Sequence, residues 1–320
     1  MSPIPMVREL AQITRLAPSP TGALHLGNAR TFVINWVLAR RHGGRVLFRI
    51  EDLDGPRVKP EAVGQVQDTL RWLGLDWDGQ PTIQSDDFEG HASAVGRLAR
   101  LGLAYPCELT RREIADAASA PHDGAADPTP STRPDPLAPS DFDRPDSNWR
   151  FVSPDRAVRF SDQFLGARET HPRADAGDFV IWTKRGTPAY QLAVVVDDAR
   201  QGVTQVVRGD DLVASTGQQV LLYEALGLEP IPTYTHLPLV VGPDGRRLAK
   251  RHGDSRVEHY RQHGVPLERI LGLLGSWSIP NQPRTAMDLA EFAGRFDLDT
   301  MPRGPARFTP EDDAWLLGRC

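Results

Sequence analysis

Two short polar segments, far apart in the chain, carry residue types suited to phosphate chemistry. In the first, His25 and Asn28 lie three residues apart, where a Pro-rich turn at residues 18–22 gives way to a predicted helix. Backbone N–H groups at such a junction attract phosphate, and the two side chains add polar donors on one helical face. Gly27 between them leaves room for a flat ring to approach the backbone. This segment is therefore a candidate nucleotide site.

The second segment is a glycine-bounded basic loop, residues 245–254, with the sequence GRRLAKRHGD. A mobile loop that brings Lys250 and Arg251 over a triphosphate could neutralise the charge that develops as pyrophosphate leaves. Taken singly, each segment also fits a simpler role. His25 and Asn28 could be capping or surface residues, and the loop could be a solvated basic turn.

The elements that must position these segments follow an alternating pattern. A short apolar run, Ile13–Ala17, predicts a strand, and apolar residues at helical spacing predict a helix over Ala29–Arg40. A second strand, Arg45–Ile50, and a second helix, Glu61–Leu73, follow. This βαβα start predicts an α/β fold with a parallel sheet covered by helices.

The composition changes in the middle of the chain. Seven of the 28 prolines lie between Pro121 and Pro145, and residues 115–146 are predicted to form a long exposed loop, because so little apolar surface cannot offset the entropy of ordering. Beyond it the patterns predict strands over Asn148–Phe160, Phe179–Lys184, Tyr190–Val196 and Val203–Arg208, and helices over Ser215–Leu226 and after Arg256.

The overall composition is that of a globular protein. Of 320 residues, 40% are hydrophobic and 25% charged, which argues against wholesale disorder and against a membrane protein. Two distant cysteines form no disulfide framework, and the N-terminus lacks an export signal, so a reducing cytoplasm is expected. The net charge of -5 gives no global basic field, so a nucleic-acid partner would have to meet a local patch.

In this order, the two segments resemble the HIGH and KMSKS signatures of class I aminoacyl-tRNA synthetases. Further motifs are similar to the glutamyl subgroup: RLAPSPTGALHLGNAR from Arg15, RIEDLD from Arg49, YQLAVVVDD from Tyr190 and VVRGDDL from Val206. Glutaminyl enzymes usually carry PEPNG where this chain has PSPTG. The resemblance implies a Rossmann-like parallel-sheet catalytic domain with an inserted α+β region and a short helical C-terminal tail.

The resemblance also implies a reaction and its residues. L-Glutamate would attack ATP, supplied with Mg²⁺, to give glutamyl-adenylate and pyrophosphate. The implied catalytic residues are His25, Asn28, Lys250 and Arg251; those for ATP are Pro18, Thr21, Gly22, His25, Gly27, Asn28 and Lys250; those for glutamate are Arg15, Ala17, Ser19, Glu51, Tyr190 and Arg208. Two guanidiniums and one carboxylate, at Glu51, would complement the substrate's two carboxylates and one ammonium. Which arginine takes the side-chain carboxylate stays open, with a preference for Arg15.

The chain departs from full-length glutamyl-tRNA synthetases after the basic loop. Only 66 residues follow Asp254, too few for a large anticodon-binding half, and the run Asp211–Thr216 also differs. Both features resemble the shortened glutamyl-queuosine tRNA(Asp) synthetases, which implies queuosine-bearing tRNA(Asp) as the acceptor. Two alternatives remain: a truncated synthetase that charges a tRNA 3′ end, and a non-catalytic paralogue that binds glutamate or ATP.

The same resemblance divides the chain and bears on metal binding. Residues 1–104 and 191–255 would form the two halves of the catalytic domain, residues 105–190 the insertion, and residues 256–320 the tail.

Many shortened members hold zinc through Cys-x-Cys in the insertion, but here Leu109 replaces the second cysteine. Because a structural zinc needs four ligands, we expect no zinc and predict that Cys107 is a small buried residue.

Overall fold

The protein's structure is a computed structural model that describes residues 12–20, 24–53, 60–108, 133–134, 137–246, 248 and 254–319. Within these ranges the chain forms thirteen strands and ten helices. The strands are β1 Ile13–Leu16, β2 Arg45–Ile50, β3 Thr82–Ile83, β4 Ala104–Cys107, β5 Asn148–Phe151, β6 Val158–Asp162, β7 Gly166–Thr170, β8 Phe179–Thr183, β9 Thr187–Pro188, β10 Gln205–Gly209, β11 Thr233–Leu237, β12 Val240–Val241 and β13 Ala306–Arg307. The helices are α1 Leu26–Arg41, α2 Pro60–Trp72, α3 Glu89–Arg100, α4 Pro172–Ala176, α5 Tyr190–Gln201, α6 Val213–Leu226, α7 Val257–Gln262, α8 Leu267–Ser276, α9 Leu289–Arg295 and α10 Pro310–Leu316.

Parallel strands form the centre of the fold, as the sequence predicts. Strand β1 pairs in parallel with β2, β2 pairs with β3, and β10 pairs with β11. The two sets meet side by side, because the Thr204 N–H donates to the Ile13 carbonyl over 2.8 Å and the Thr14 hydroxyl donates to the Gln205 carbonyl over 3.0 Å. The spatial order is therefore β3-β2-β1-β10-β11. The chain leaves the centre in opposite directions from β1 and β10, and open α/β sheets bind ligands outside the carboxyl ends of strands at such a switch point.

Helix α1 begins directly at the carboxyl end of this central region. The predicted helix over Ala29–Arg40 extends by one turn at its start, so His25 occupies the N-cap position. The helix ends where Gly43 adopts φ of +63°. Next to it, a Cβ at Gly44 would come within 2.8 Å of the Gln12 carbonyl oxygen, so the chain requires glycine to turn closely back into β2.

The segment between the two halves of the parallel sheet forms antiparallel structure. Strands β4, β5, β8 and β9 form one sheet, and β6 and β7 form a hairpin that joins β11 through Asp162 and Tyr234. The predicted strand Asn148–Phe160 is wrong in its length, because residues 152–157 interrupt it between β5 and β6. Of the predicted Pro-rich loop, residues 133–134 and 137–146 contain no helix or strand, and the rest lies outside the described residues.

The predicted strand Tyr190–Val196 is wrong, since these residues begin helix α5. Every side chain from Leu192 to Asp198 is buried, because the helix packs against α6, α3 and β8. A short apolar run that is buried on all sides shows no helical periodicity, so its pattern cannot be distinguished from that of a central strand. Gly202, with φ of +67°, ends the helix in the left-handed conformation.

One hydrophobic core joins the C-terminal helices to the first half of the parallel sheet. It contains residues of β1, β2 and α1 together with residues of α8, α9 and α10, among them Ile270, Phe292 and Leu316. Arg30 crosses this contact while fully buried. Its guanidinium donates to the Pro238 carbonyl over 2.7 Å, to Ser278 Oγ over 3.0 Å and to the Trp277 carbonyl over 3.1 Å. In the described part of the chain, no helix is both long enough and apolar enough to cross a membrane.

Replacement of Arg30 by alanine should strongly destabilise the protein. The substitution leaves two buried carbonyls and one hydroxyl without their charged donor, and hydrogen bonds to charged groups contribute roughly 1.5–3 kcal/mol each. We expect a loss of about 3 kcal/mol or more in the free energy of unfolding, measured by denaturant titration. The control is Arg45→Ala, at an exposed side chain, which should change that free energy by less than about 0.5 kcal/mol. Equal losses in the two variants would contradict the role assigned to Arg30.

Candidate active site

A buried cluster of charged side chains lies below the carboxyl end of β1. The side chain of Arg15 extends from β1, and its Nε donates to Asp198 Oδ1, on α5, over 3.1 Å. Arg49 leaves the neighbouring strand β2, and its Nη2 lies 2.7 Å from the same carboxylate oxygen. Asp198 thus ties two arginines from adjacent strands to one helix, and all three side chains are almost completely buried.

The same Arg49 nitrogen also holds Glu51. Arg49 Nη2 donates to Glu51 Oε1 over 3.1 Å, and Nη1 donates to Gln201 Oε1 over 2.6 Å. The Glu51 N–H donates to the Pro18 carbonyl over 3.1 Å, so the predicted strip Ala17–Ser19 lies beside Glu51. The second oxygen of Glu51 and the terminal nitrogens of Arg15 have no hydrogen-bond partner among the described residues.

In both carboxyls, Asp198 and Glu51, burial raises the pKa and the neighbouring arginines lower it. Burial alone would raise the pKa of Asp198, but Arg15 and Arg49 outweigh it and hold that pKa below its usual range. For Glu51, burial outweighs the attraction of Arg49 and Arg15 and raises the pKa of the carboxyl. Asp198 is therefore an anion at neutral pH that orders the arginines, whereas the ionised form of Glu51 is favoured by a further positive charge close to it.

Arg208, at the carboxyl end of β10, lies in its own network. It donates to Gln219 Oε1 over 2.9 Å, to Thr216 Oγ1 over 2.7 Å and to His236 Nε2 over 3.0 Å, and it lies 5.4 Å from the centre of the Tyr234 ring. Helix α6 and strand β11 therefore fix the plane of this guanidinium.

Tyr190 stands between the two networks at the first residue of α5. Its side chain is 39% exposed, and its hydroxyl interacts electrostatically with Arg208, Glu51 and Arg15. Burial of the hydroxyl raises the pKa of Tyr190. Arg15, Glu51 and Arg208 therefore all lie within electrostatic range of the Tyr190 hydroxyl. In the core beside them, the Tyr223 hydroxyl is buried and has no hydrogen-bond partner among the described residues.

The residues after the basic loop run back to the start of α1. We call residues 254–257 the return segment. The Leu26 N–H donates to the Ser255 carbonyl over 2.9 Å, the Val257 N–H donates to the Leu24 carbonyl over 2.9 Å, and His25 Nδ1 lies 3.1 Å from Ser255 Oγ. The incoming end is held as well, because the Leu248 N–H contacts the Val240 carbonyl at 3.4 Å. Both ends of the basic loop are therefore anchored near His25.

Several predicted residues can be located and others cannot. Asn28 is exposed on the first turn of α1, Pro18 is buried, and Ser19 is exposed. A Cβ at Gly27 would lie 3.2 Å from Val240 Cβ, so close packing on β12 also favours glycine there. The predicted Thr21, Gly22, Lys250 and Arg251 lie outside the described residues.

The metal prediction is only partly covered by the structure. Cys107 is buried and packs with Tyr105 and Val152, which confirms its predicted environment. Within the described residues, no three His, Cys, Asp or Glu side chains are grouped as metal ligands. Leu109 and the residues up to 132 lie outside those residues, so the absence of zinc stays a prediction.

Four residues of the site have no role predicted from the sequence: Asp198, Arg49, His236 and Ser255. Asp198 and Arg49 lie within the glutamyl-type motifs, and a pair of aspartates at the end of an apolar run, Asp197 and Asp198, is the signal that could have identified Asp198. A carboxylate in such a run must either be paired or remain neutral once it is buried.

Asp198→Asn should destabilise the protein by about 3–5 kcal/mol at neutral pH, because it leaves two buried guanidiniums without their shared anion. The lowered pKa of Asp198 means that its contribution is complete above the unfolded value, about 3.9, and is lost as the pH falls through the folded value. The difference in unfolding free energy between wild type and variant should therefore narrow in acid. Denaturant titrations at several pH values test this, with the exposed Asp155→Asn as control; a difference that does not change with pH would refute it.

Comparison with known proteins gives a consistent result. The family model of class I tRNA synthetases (E and Q), catalytic domain, matches residues 12–312. A Glutamyl-Q tRNA(Asp) synthetase from Rhodopirellula baltica is 48% identical over 81% of this chain and 82% of its own length. Its counterpart from Symbiobacterium thermophilum is 44% identical over 95% of this chain and 98% of its own length.

Longer relatives match over only part of their length. A Glutamate--tRNA ligase from a Synechococcus species is 40% identical, and the matched region spans 67% of that protein. The crystal structure of a glutamate tRNA ligase from Elizabethkingia meningosepticum, in complex with its amino acid, has a TM-score of 0.77 and 25% identity, covering 95% of this chain and 68% of that one. These matches confirm the expected class I catalytic fold. The chain belongs to the class I tRNA synthetases of the E and Q group.

Proposed function

We propose that this protein activates L-glutamate with ATP, without requiring tRNA, and transfers the glutamate to queuosine in the anticodon of tRNA(Asp) in the cytoplasm. In the first step the glutamate α-carboxylate attacks the α-phosphorus of ATP, giving glutamyl-adenylate and pyrophosphate. In the second step the queuosine base accepts the glutamyl group and AMP leaves. ATP enters as its complex with Mg²⁺.

The arrangement of unpartnered polar atoms around Tyr190 carries the first step of the proposal. The terminal nitrogens of Arg15 and one N–H of Arg208 remain to bind carboxylates, and the second oxygen of Glu51 remains to bind an ammonium. L-Glutamate presents two carboxylates and one ammonium, so its charges match these groups. Because Arg15 offers two terminal nitrogens and Arg208 offers one N–H, we assign the side-chain carboxylate to Arg15.

The region at the start of α1 would hold the nucleotide. Helix α1 follows β1 in the chain, with His25 as its N-cap residue and Asn28 on its first turn, and helix N-termini favour phosphate. Because the residues on either side of the basic loop are anchored on β12 and at the start of α1, we propose that Lys250 and Arg251 bind the phosphates of this nucleotide. In-line transfer to an α-phosphorus needs alignment and charge stabilisation rather than a protein nucleophile, and these residue types supply both.

Two similar proteins support queuosine as the acceptor, because they are 48% and 44% identical to this chain over the matched regions and carry the same name. The proteins that match over 82% and 98% of their own length are named Glutamyl-Q tRNA(Asp) synthetase, whereas the Glutamate--tRNA ligases extend well beyond the matched region. Because a Glutamate--tRNA ligase is also 40% identical to this chain, transfer of glutamate to a tRNA 3′ end is the alternative to be tested.

Position of the label on tRNA decides between these acceptors. Incubation with ATP, isotope-labelled glutamate and queuosine-bearing tRNA(Asp), followed by nuclease digestion and mass spectrometry, should place the label on the anticodon nucleoside. The same tRNA without queuosine is the control and should stay unlabelled. Pyrophosphate exchange with glutamate and ATP alone should proceed. Label at the 3′ terminus, or exchange that starts only when tRNA is added, would contradict the proposal.

Glu51→Gln should weaken glutamate binding about tenfold or more, because a carboxylate facing the substrate ammonium is replaced by a neutral amide. The raised pKa of Glu51 predicts that wild-type affinity falls with decreasing pH while the substrate carboxyls, which titrate lower, are still ionised. In Glu51→Gln the affinity for glutamate should not fall over this pH range. Glutamate KM in the exchange assay across a pH series measures both effects, with the exposed Glu61→Gln as control. An unchanged KM in Glu51→Gln would make Glu51 a structural partner of Arg49 only.

A further inference from the structure

Arg208 is oriented by a buried chain of polar groups that has no exposed member. His236 and Asp162 both have side chains with no solvent exposure. His236 Nδ1 lies 2.6 Å from Asp162 Oδ2, and Arg208 Nε lies 3.0 Å from His236 Nε2. Asp162 is the last residue of β6 and His236 lies in β11. The series of hydrogen bonds therefore crosses two neighbouring strands and reaches Arg208 on β10.

The surroundings of Asp162 fix which imidazole nitrogen carries the proton. Asp162 accepts from the N–H groups of Phe164 and Leu165 through Oδ1, over 3.0 and 2.7 Å, and from the His236 N–H through Oδ2, over 3.1 Å. Because this carboxylate accepts from every partner, His236 Nδ1 carries a proton and donates it to Oδ2. In the neutral ring, Nε2 is then an acceptor, as the Nε–H of Arg208 requires.

The partners of Arg208 leave few N–H groups unpaired. Nε donates to His236, one Nη1 hydrogen donates to Gln219, and Nη2 faces Thr216 Oγ1 at 2.7 Å and the Leu212 carbonyl at 3.4 Å. A guanidinium has five N–H bonds, so one Nη1 hydrogen remains. Its direction is set by the other four, and a small rotation of the guanidinium would redirect it.

We propose that His236, held as the Nδ1–H tautomer by Asp162, is a positioning residue that directs the remaining Nη1–H of Arg208 toward a carboxylate of the bound glutamate. This inference rests on the proposed function, which places glutamate beside Arg208. If the imidazole were protonated, Nε2 would also carry a hydrogen, and this N–H would face the Nε–H of Arg208 instead of accepting from it. Burial opposes that form, since it lowers the pKa of His236 despite the neighbouring Asp162.

Two substitutions of His236 separate positioning from packing. In His236→Gln the side-chain oxygen reaches the place of Nε2 and can accept from Arg208, whereas in His236→Asn the shorter amide reaches only the place of Nδ1. Glutamate KM, ATP KM and kcat are measured for both variants by pyrophosphate exchange, and melting temperatures are recorded in parallel.

We expect His236→Asn to raise glutamate KM about tenfold or more, as for loss of a hydrogen bond to a charged group, with ATP KM unchanged within about twofold. His236→Gln should recover most of the affinity for glutamate, with a KM within about threefold of wild type. A purely structural role predicts that both variants melt early and that both KM values change together. Equal glutamate KM in the two variants, or a parallel rise in ATP KM, would overturn the inference.

A second variant covers the case in which the His236 variants fail to fold. In Asp162→Asn the side-chain NH₂ faces either the N–H groups of Phe164 and Leu165 or the backbone N–H and Nδ1–H of His236. In the second orientation the repulsion is relieved when the imidazole moves its proton from Nδ1 to Nε2. The Nε2–H then faces the Nε–H of Arg208, and Nε2 no longer accepts from it. Glutamate KM should rise in this variant without a matching rise in ATP KM, and an unchanged glutamate KM would contradict the proposal. Failure of the wild-type protein to exchange pyrophosphate with glutamate would overturn the proposed function as well, so the two failures are distinguishable.

Discussion

The rest of the site depends on one buried carboxylate, that of Asp198. Two guanidiniums from adjacent parallel strands, Arg15 and Arg49, could not be taken out of water without an anion, because the desolvation penalty of each is several kcal/mol. Asp198 supplies that anion from helix α5, within 3.1 Å of one arginine and 2.7 Å of the other. The helix is thereby fixed against the sheet, and Tyr190 at its first residue is fixed with it.

The parallel sheet decides where this cluster can meet Arg208. Because β1 and β10 lie side by side and the chain departs from them in opposite directions, their carboxyl ends form a switch point of the sheet, where open α/β sheets bind ligands. Arg15 lies near the end of one strand and Arg208 near the end of the other. Each is immobilised by a different set of partners, so the two guanidiniums lie in fixed positions before any ligand arrives, and little ordering entropy remains to be lost on binding.

The return segment links the third part of the site to the same framework. Its pairing with the start of α1 brings the outgoing end of the basic loop to His25, although the loop and His25 are far apart in sequence. The C-terminal helices add to this arrangement, since they share one core with α1 and the first strands, and Arg30 is hydrogen-bonded across the contact. The tail therefore stabilises the half of the fold that contains His25 and the start of α1.

By itself the sequence determined the βαβ start and the parallel sheet, because local periodicity was sufficient, and its motif resemblance predicted Arg15, Glu51, Tyr190 and Arg208 as the glutamate-binding residues. Only the tertiary structure decided that Tyr190–Val196 is a helix, since a run buried on every side loses its periodicity. Tertiary structure also decided the partners of each charge. Asp198 lies next to Asp197 in sequence, yet its partners come from strands more than a hundred residues away, and burial, which makes those pairs obligatory, is a property of the packed chain alone.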